Sequence, residues 1–158
     1  MQTLAIPDIG QEAPDFRLRG GDGTYYTLSE FRGDKNVLVV FFPLAFSPVC
    51  SHQLPEIQKR IEEFENTDTV VMGVSVDSRW SGRAFARMLG LSFPLLSDWN
   101  REACRAYGVF LPESNYSNRA SFLVDKQGRV LWREVSENLG SEDAEPSIEA
   151  ALAAIPKS

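Results

Sequence analysis

The chain has 158 residues, is 43% hydrophobic and 24% charged, and carries a formal net charge of −6. This length suits a single domain over residues 1–158, with a core that needs no disulfide or metal. The acidic balance argues against a nucleic-acid binder. No apolar run approaches the roughly 20 residues that cross a bilayer, and we expect no signal peptide. With only two cysteines, the chain has no disulfide framework, so we expect a cytoplasmic setting.

The first predicted element is a β-hairpin. Phe16 and Leu18 alternate with polar residues, a glycine-rich turn follows at 20–23, and a strand-like pattern resumes at 24–28. After it come two continuous apolar runs, VLVVFF at 37–42 and TVVMGVSV at 69–76. Runs of this length and composition predict central strands that are buried on both faces.

Helices are predicted between and after these strands. Leu54, Ile57, Ile61 and Phe64 fall at spacings of three and four, which predicts a helix that starts near position 48 and is irregular at Pro55. The remaining predicted elements are a helix at 81–89, a strand at 93–96, a helix at 100–107, a hairpin at 121–124 and 129–135, and a helix at 146–155. This order predicts an α/β fold, with a central mixed β-sheet and helices on both faces.

Residues 41–50, FFPLAFSPVC, place a cysteine just beyond a buried strand. Ser47 occupies a predicted N-cap position and Pro48 the first helical position, so Cys50 falls in the first helical turn. The unpaired N–H groups and the dipole there favour an anion, and the thiolate is the reactive form of cysteine. The position therefore predicts a lowered pKa for Cys50. The alternative is a small buried hydrophobe, and the pattern leaves both open.

Ser47 and Pro43, in the same stretch, also have two interpretations each. The hydroxyl of Ser47 either caps the helix or hydrogen-bonds the thiolate or a substrate oxygen. Pro43 either ends the strand, because it has no N–H, or walls a pocket that keeps water from the thiolate.

The stretch from Pro43 to Cys50 resembles the peroxiredoxin motif Pro-x-x-x-Thr/Ser-x-x-Cys. Other segments occur in the order that this family shows, and Arg119 opens a later strand as the active-site arginine of the family does. These segments are APDF at 13–16, VLVVFF at 37–42, GVSVD at 73–77, FPLLSD at 93–98, AYGV at 106–109 and RASFLVD at 119–125.

The resemblance implies a thioredoxin-like fold with an added N-terminal β-hairpin. It also implies that Cys50 is the peroxidatic cysteine, which reduces hydrogen peroxide or an organic hydroperoxide and becomes a sulfenic acid. Ser47 stands where the family usually has Thr, and Arg119 matches the active-site arginine. A guanidinium can stabilise the thiolate and the leaving oxygen together.

The reduction of the oxidised cysteine is the step at which this sequence departs from many members of the family. Pro55 occupies one position of a resolving cysteine, the predicted helix at 81–89 has no cysteine, and a C-terminal Val-Cys-Pro segment is absent. Cys104 remains, and its neighbours favour a packing role. We therefore expect a one-cysteine mechanism, as in the E-type alkyl hydroperoxidase and related bacterioferritin-comigratory subgroups. The reductant would be thioredoxin, a glutaredoxin-like protein or a low-molecular-weight thiol.

Further expectations concern neighbouring residues, partners and alternatives. Gln53 stands where the family often has a glutamate that engages the arginine, and His52 is interpreted as a surface residue. Two distant cysteines and one histidine give no zinc-like spacing, so we expect no metal and no cofactor. By resemblance we expect a homodimer, with no nucleic-acid or membrane partner. The alternatives are a thioredoxin-like disulfide reductase, which normally needs Cys-x-x-Cys, and a non-catalytic redox-binding module.

Overall fold

The structure of the chain, a computed structural model, describes residues 5–47, 50–136 and 148–156. Its strands are β1 (Arg17–Gly20), β2 (Tyr25–Thr27), β3 (Asn36–Phe41), β4 (Thr69–Ser75), β5 (Leu95–Ser97), β6 (Phe110–Leu111), β7 (Tyr116–Ser117), β8 (Ala120–Val124) and β9 (Val130–Val135). Its helices are α1 (Cys50–Lys59), α2 (Ile61–Glu65), α3 (Arg79–Leu89), α4 (Glu102–Ala106) and α5 (Ile148–Ala154), with a 3-10 turn over Leu28–Phe31. Within these ranges no helix combines the length and the apolar character needed to cross a membrane.

Seven strands form one mixed sheet in the order β2-β1-β5-β4-β3-β8-β9. β3, β4 and β5 are parallel, and helices lie in the connections between them, as parallel neighbours require. The hairpin β1–β2 joins one edge through the antiparallel pairing of β1 with β5, while β8 and β9 extend the sheet beyond β3. The predicted mixed sheet with an added N-terminal hairpin is therefore confirmed.

All six residues of the central strand β3 are buried. Because side chains alternate along a strand, Val37, Val39 and Phe41 enter the core on one face of the sheet. The side chains at 38, 40 and 42 enter the core on the other face. Burial of such a side chain stabilises a fold by about 1.5–3 kcal/mol, which explains the unbroken apolar run.

Helices cover both faces of the sheet, as predicted. On the face that we call the α1 face, Leu54 and Ile57 of α1 pack with Phe85 of α3. On the opposite face, which we call the α4 face, the ring of Tyr107 follows α4 and lies 5.2 Å from that of Phe41 between centroids. Each face therefore has its own core, separated from the other by the sheet.

The helix predicted to run from position 48 to Phe64 is two helices. α1 continues through Pro55, where we predicted an irregularity, and the interruption lies at Arg60. There the N–H of Arg60 donates to the carbonyl of Ile57, three residues back rather than four, at 3.0 Å. Such 3-10 geometry tightens a helical turn and changes its direction.

Other elements also differ from the sequence prediction. α3 begins at Arg79 rather than Ser81, because the hydroxyl of Ser78 accepts the Ser81 N–H and caps the helix. The short pair β6–β7 was not predicted, since two-residue strands carry no periodic pattern. The last helix is described from Ile148, and its predicted start at Pro146 lies outside the described residues.

Candidate active site

The C-terminal end of β3 leads directly into residues 43–47, which we call the site loop. The N–H of Phe42 donates to the carbonyl of Val74 at 3.0 Å, and its carbonyl accepts the hydroxyl of Ser117 at 3.1 Å. Pro43 follows at once and is buried. Proline has no N–H with which to extend the ladder, so the strand ends here and the site loop begins.

Cys50 is the first residue of α1, so it lies in the first helical turn as the sequence predicted. The carbonyl of Ser47 accepts the backbone N–H of Ser51 at 3.0 Å and its hydroxyl at 2.9 Å, as the backbone of an N-cap residue does. The hydroxyl of Ser47 donates to the carbonyl of Leu44 at 3.0 Å. It thus stabilises the loop and keeps lone pairs that can accept a hydrogen bond. Pro48 lies outside the described residues.

Arg119 is buried, with 8% of its surface exposed, and directly precedes β8. The antiparallel register pairs Ala120 with Phe41, so Arg119 lies beside the end of β3 where the site loop starts. Its backbone N–H donates to Oδ1 of Asn118 at 2.9 Å, and its carbonyl accepts the N–H of Ser136 at 2.9 Å. Sheet pairing therefore brings this distant arginine to the same strand end as the site loop.

One further polar residue of α1 is buried near the helix start. Gln53, which stands in the place of the family's glutamate, is only 4% exposed. Across the described ranges, no group of three His, Cys, Asp or Glu side chains is arranged to hold a metal ion.

Asp77 holds the site loop, and we did not single it out as a site residue from the sequence. Its Oδ2 accepts the backbone N–H of Ala45 at 2.7 Å and the hydroxyl of Ser75 at 2.7 Å. Its carbonyl accepts the hydroxyl of Ser97 at 2.7 Å. The sequence feature that could have identified Asp77 is its position just after β4, because the carboxyl ends of parallel strands meet at one edge of a sheet.

The site loop contains a backbone conformation that side chains rarely adopt. Phe46 has φ of 68°, in the left-handed region, which costs a non-glycine residue on the order of 1 kcal/mol. Two contacts hold it there: the ring lies 5.0 Å from that of Phe85 between centroids, and the preceding residue, Ala45, is bound to Asp77. Strained conformations of this kind persist where the surroundings fix them, often at functional sites.

The second cysteine, Cys104, is a structural thiol. It is 1% exposed, its thiol donates to the carbonyl of Arg101 at 3.5 Å, and its N–H donates to Oδ2 of Asp98 at 2.9 Å. Burial, together with the Asp98 carboxylate, raises the pKa of the Cys104 thiol to about 12. Burial likewise raises the pKa of Asp98.

Cys104 and α1 lie on opposite faces of the sheet. Cys104 belongs to the core of the α4 face with Val39, whereas Leu54 of α1 belongs to the core of the α1 face. This arrangement supports the expected packing role of Cys104.

Comparison with known proteins places this arrangement in context. Residues 9–133 match a family model described as the AhpC/TSA family. The chain is 40% identical over 132 residues to alkyl hydroperoxide reductase E of Mycobacterium tuberculosis, covering 82% of this chain and 86% of that protein. It is 33% identical over 136 residues to peroxiredoxin Bcp of Bacillus subtilis, with 81% and 86% covered. The crystal structure of peroxidoxin BcpB from M. tuberculosis aligns with a TM-score of 0.84 at 28% identity, covering 94% and 96% of the two chains.

The hydrogen bond between Asp77 and Ala45 generates a first prediction. We expect Asp77→Ala to slow the oxidation of Cys50 by hydrogen peroxide about tenfold, because small displacements of reacting groups are costly. Asp77→Asn keeps an oxygen that accepts the Ala45 N–H, so its rate should stay within about threefold of the wild type. The second-order rate constant is measured by stopped-flow competition with a reference peroxidase.

Asp125→Ala is the matched control. Oδ1 of Asp125 accepts the N–H groups of Gln127 and Arg129 at 2.9 Å each, so it also holds a backbone turn, but between β8 and β9. This variant should lose stability and keep its oxidation rate. Equal slowing in Asp77→Ala and Asp125→Ala, corrected for folded fraction, would contradict a positioning role for Asp77.

The raised pKa of Cys104 generates a second prediction. At pH 8 a thiol with a pKa of about 12 is ionised in roughly one molecule in 10⁴. Because the shift is upward, reactivity should appear only in strongly alkaline solution or after unfolding. We expect iodoacetamide to label the folded Cys50→Ser variant negligibly at pH 8 and the urea-unfolded variant by one equivalent, as read by intact mass. Equal labelling rates in the two states would contradict the burial.

Proposed function

Since the chain belongs to the AhpC/TSA family and is a peroxiredoxin, a thiol-dependent enzyme that reduces hydroperoxides, we propose that Cys50 is its peroxidatic residue. The thiolate sulfur attacks the terminal oxygen of the hydroperoxide, and the S–O bond forms as the O–O bond breaks. Cys50 becomes a sulfenic acid. The leaving oxygen departs as hydroxide or alkoxide and takes a proton, which gives water or an alcohol. The proposed substrates are hydrogen peroxide and organic hydroperoxides.

The groups around the start of α1 have the chemistry that this step needs. The first N–H groups of a helix have no partner within the helix and favour an anion. Arg119 carries a permanent charge and several donors, which can stabilise the thiolate and then the leaving oxygen. We assign the hydroxyl of Ser47 to hydrogen-bonding the thiolate or substrate, and buried Pro43 to walling the pocket.

The observation that carries the proposal is the register of β8 against β3. This register does not depend on the motif around Cys50. It places Arg119 at the end of β3, where the site loop that leads to α1 begins. A buried arginine is rare unless its charge has a use or a partner. At this edge its charge can act on an anionic sulfur and on a developing oxyanion.

We further propose that an external thiol regenerates the enzyme. A thiol of the reductant attacks the sulfenic sulfur, releases water and forms a mixed disulfide. A second thiol of the reductant then releases Cys50 and leaves the reductant as a disulfide. The burial of Cys104 on the opposite face of the sheet supports this one-cysteine route. Thioredoxin, a glutaredoxin-like protein or a low-molecular-weight thiol could serve.

The alternative functions are weaker. A disulfide reductase normally uses Cys-x-x-Cys, and the residue three positions after Cys50 is the buried Gln53. The kinship with alkyl hydroperoxide reductase E and peroxiredoxin Bcp supports the peroxidase instead.

Two further proposals concern the oligomeric state and the cellular location of the protein. We propose a homodimer, supported by exposed apolar side chains on the site loop and α3: Leu44 at 38%, Phe46 at 51% and Met88 at 58%. We propose a cytoplasmic location, supported by the low cysteine content and by the free thiol of Cys104.

The proposed chemistry predicts stoichiometric oxidation of Cys50. One equivalent of hydrogen peroxide should be consumed by the reduced wild type and by Cys104→Ala, and their intact mass should rise by one oxygen. Cys50→Ser should consume none. Peroxide loss is followed colorimetrically and the adduct by mass spectrometry.

The control outcome separates the two cysteines. Equal peroxide consumption by the wild type and Cys50→Ser would refute the role of Cys50. An internal disulfide in the oxidised wild type would instead make Cys104 the resolving residue and refute the external route.

The dimer proposal predicts a sedimentation mass of twice the 17.7 kDa chain at micromolar concentration. Met88→Glu should shift the species toward monomer, because a charge would be buried in an apolar contact. Ile9→Glu, at a side chain that is 61% exposed elsewhere, is the control and should remain dimeric. A monomeric wild type would contradict the proposal.

A further inference from the structure

Five arginines converge on one side of this acidic chain. Arg17 and Arg19 come from β1, and Arg79, Arg83 and Arg87 recur at every fourth position of α3, which places them along one helix face. In the described ranges none of the five is paired with a carboxylate. They therefore form a local positive surface on a chain of net charge −6.

Several of these guanidinium groups are held by aromatic rings. The guanidinium carbon of Arg17 lies 4.0 Å from the ring centre of Tyr25, and that of Arg79 lies 3.7 Å from the ring centre of Trp80. Arg19 lies over Tyr25 and donates from Nε to the carbonyl of Gly23 at 3.0 Å. Stacked arginines lose less conformational freedom when a carboxylate binds, because their planar donors are already oriented.

Gly21 allows the arginines of β1 and those of α3 to lie close together. A Cβ at Gly21, in the turn after β1, would lie 2.9 Å from the Cα of Arg83 and 3.1 Å from its backbone nitrogen. Only glycine permits this approach of α3 to the β1–β2 turn. The close contact makes one surface from α3 and the hairpin.

The arginines line two depressions of the surface, which together we call the arginine groove. One part, about 390 Å³, lies between the hairpin and Trp99, and a second, about 630 Å³, follows α3. Arg79 and Trp80 line both parts, so the two are adjacent. Trp80 and Trp99 are 59% and 60% exposed, which gives the groove open apolar surface beside its charges.

Three acidic side chains also line the groove, but the five arginines outnumber them, so the lining keeps a positive charge. Asp98 is buried and accepts the N–H groups of Ala103 and Cys104. Asp22 is bound to the N–H of Thr24 and the hydroxyl of Tyr26. Glu102 is exposed, and five arginines face these three acids.

The helix that lines the arginine groove also contacts the site loop. This helix, α3, starts two residues after Asp77, which holds Ala45 of the site loop. The same helix contributes Phe85, whose ring contacts Phe46 of that loop. The first turn of α3, at the Arg79 end of the groove, therefore lies close to the residue that holds the site loop.

We propose that the arginine groove is the docking surface for the protein that reduces oxidised Cys50, and that this protein presents carboxylates beside its reactive thiol. The inference rests on the proposed function. Unpaired arginines with exposed aromatic rings are the side chains most enriched at protein contacts. The spread of the arginines over β1 and α3 favours a protein surface over a small anion. The negative charge of the rest of the chain would repel an acidic partner from other orientations.

Binding is tested by fluorescence titration of the full chain with hexaglutamate, because Trp80 and Trp99 report on the groove. We expect a saturable change, with none for hexalysine. Arg83→Glu should weaken the apparent affinity about fivefold or more, since a contact charge is reversed. Arg129→Glu, at an exposed arginine of the β8–β9 turn, changes the net charge equally and should stay within about twofold.

Reduction is tested by turnover with excess hydrogen peroxide. Arg83→Glu should raise the KM for a thioredoxin of net negative charge about fivefold and leave turnover with dithiothreitol unchanged. Absence of turnover with dithiothreitol in the wild type would refute the proposed function itself. Normal turnover with dithiothreitol, with no effect of Arg83→Glu on the thioredoxin reaction, would refute only the docking surface.

Three further results would overturn the assignment. One is a failure of the thioredoxin to reduce a wild type that turns over with dithiothreitol. Another is a response to hexathymidylate as strong as that to hexaglutamate, which would assign the groove to nucleic acid. The third is dissociation of a wild-type dimer by Arg83→Glu in sedimentation, which would assign it to a second copy of the chain.

Discussion

The pairing of β3 with β4 on one side and β8 on the other is the interaction on which the candidate site depends. Parallel pairing with β4 delivers Asp77 to the strand end where the site loop starts. Antiparallel pairing with β8 delivers Arg119 to the same end. These main-chain ladders are buried and costly to break, since unpaired N–H and C=O groups cannot reach water. Three separate segments of sequence are thereby fixed around one short loop.

The alternation of side chains along the same strand separates the cores of the two helices that contain the cysteines. Residues of β3 point by turns to the α1 face and the α4 face, so the helix that starts at Cys50 and the helix that holds Cys104 have separate cores. On the α4 face, burial keeps the Cys104 thiol protonated. The face that Cys104 occupies therefore makes its thiol unreactive, and this supports the proposed reduction from outside the chain.

The parts of the site that are local in sequence could be predicted, and those that depend on register could not. The apolar run of β3, its termination at Pro43 and the helical position of Cys50 follow from neighbouring residues. Arg119 was identified through family resemblance, because no local pattern specifies which distant strands pair. The bond from Asp77 to Ala45 depends on two strands and a loop at once. The start of α3 was missed because Ser78 caps a helix whose first turn has no apolar periodicity.

Helix α3 both contacts the site loop and carries three arginines of the arginine groove. Its buried side supports the strained Phe46 through Phe85, while its arginines belong to another side of the same rigid element. Charges on a surface are screened over roughly 8 Å at physiological salt, so the negative remainder of the chain does not cancel the arginines locally. An approaching acidic protein is therefore repelled at most orientations and attracted at one. Orientation by charge acts mainly on the rate of encounter, which is what a reductant that must visit and leave repeatedly requires.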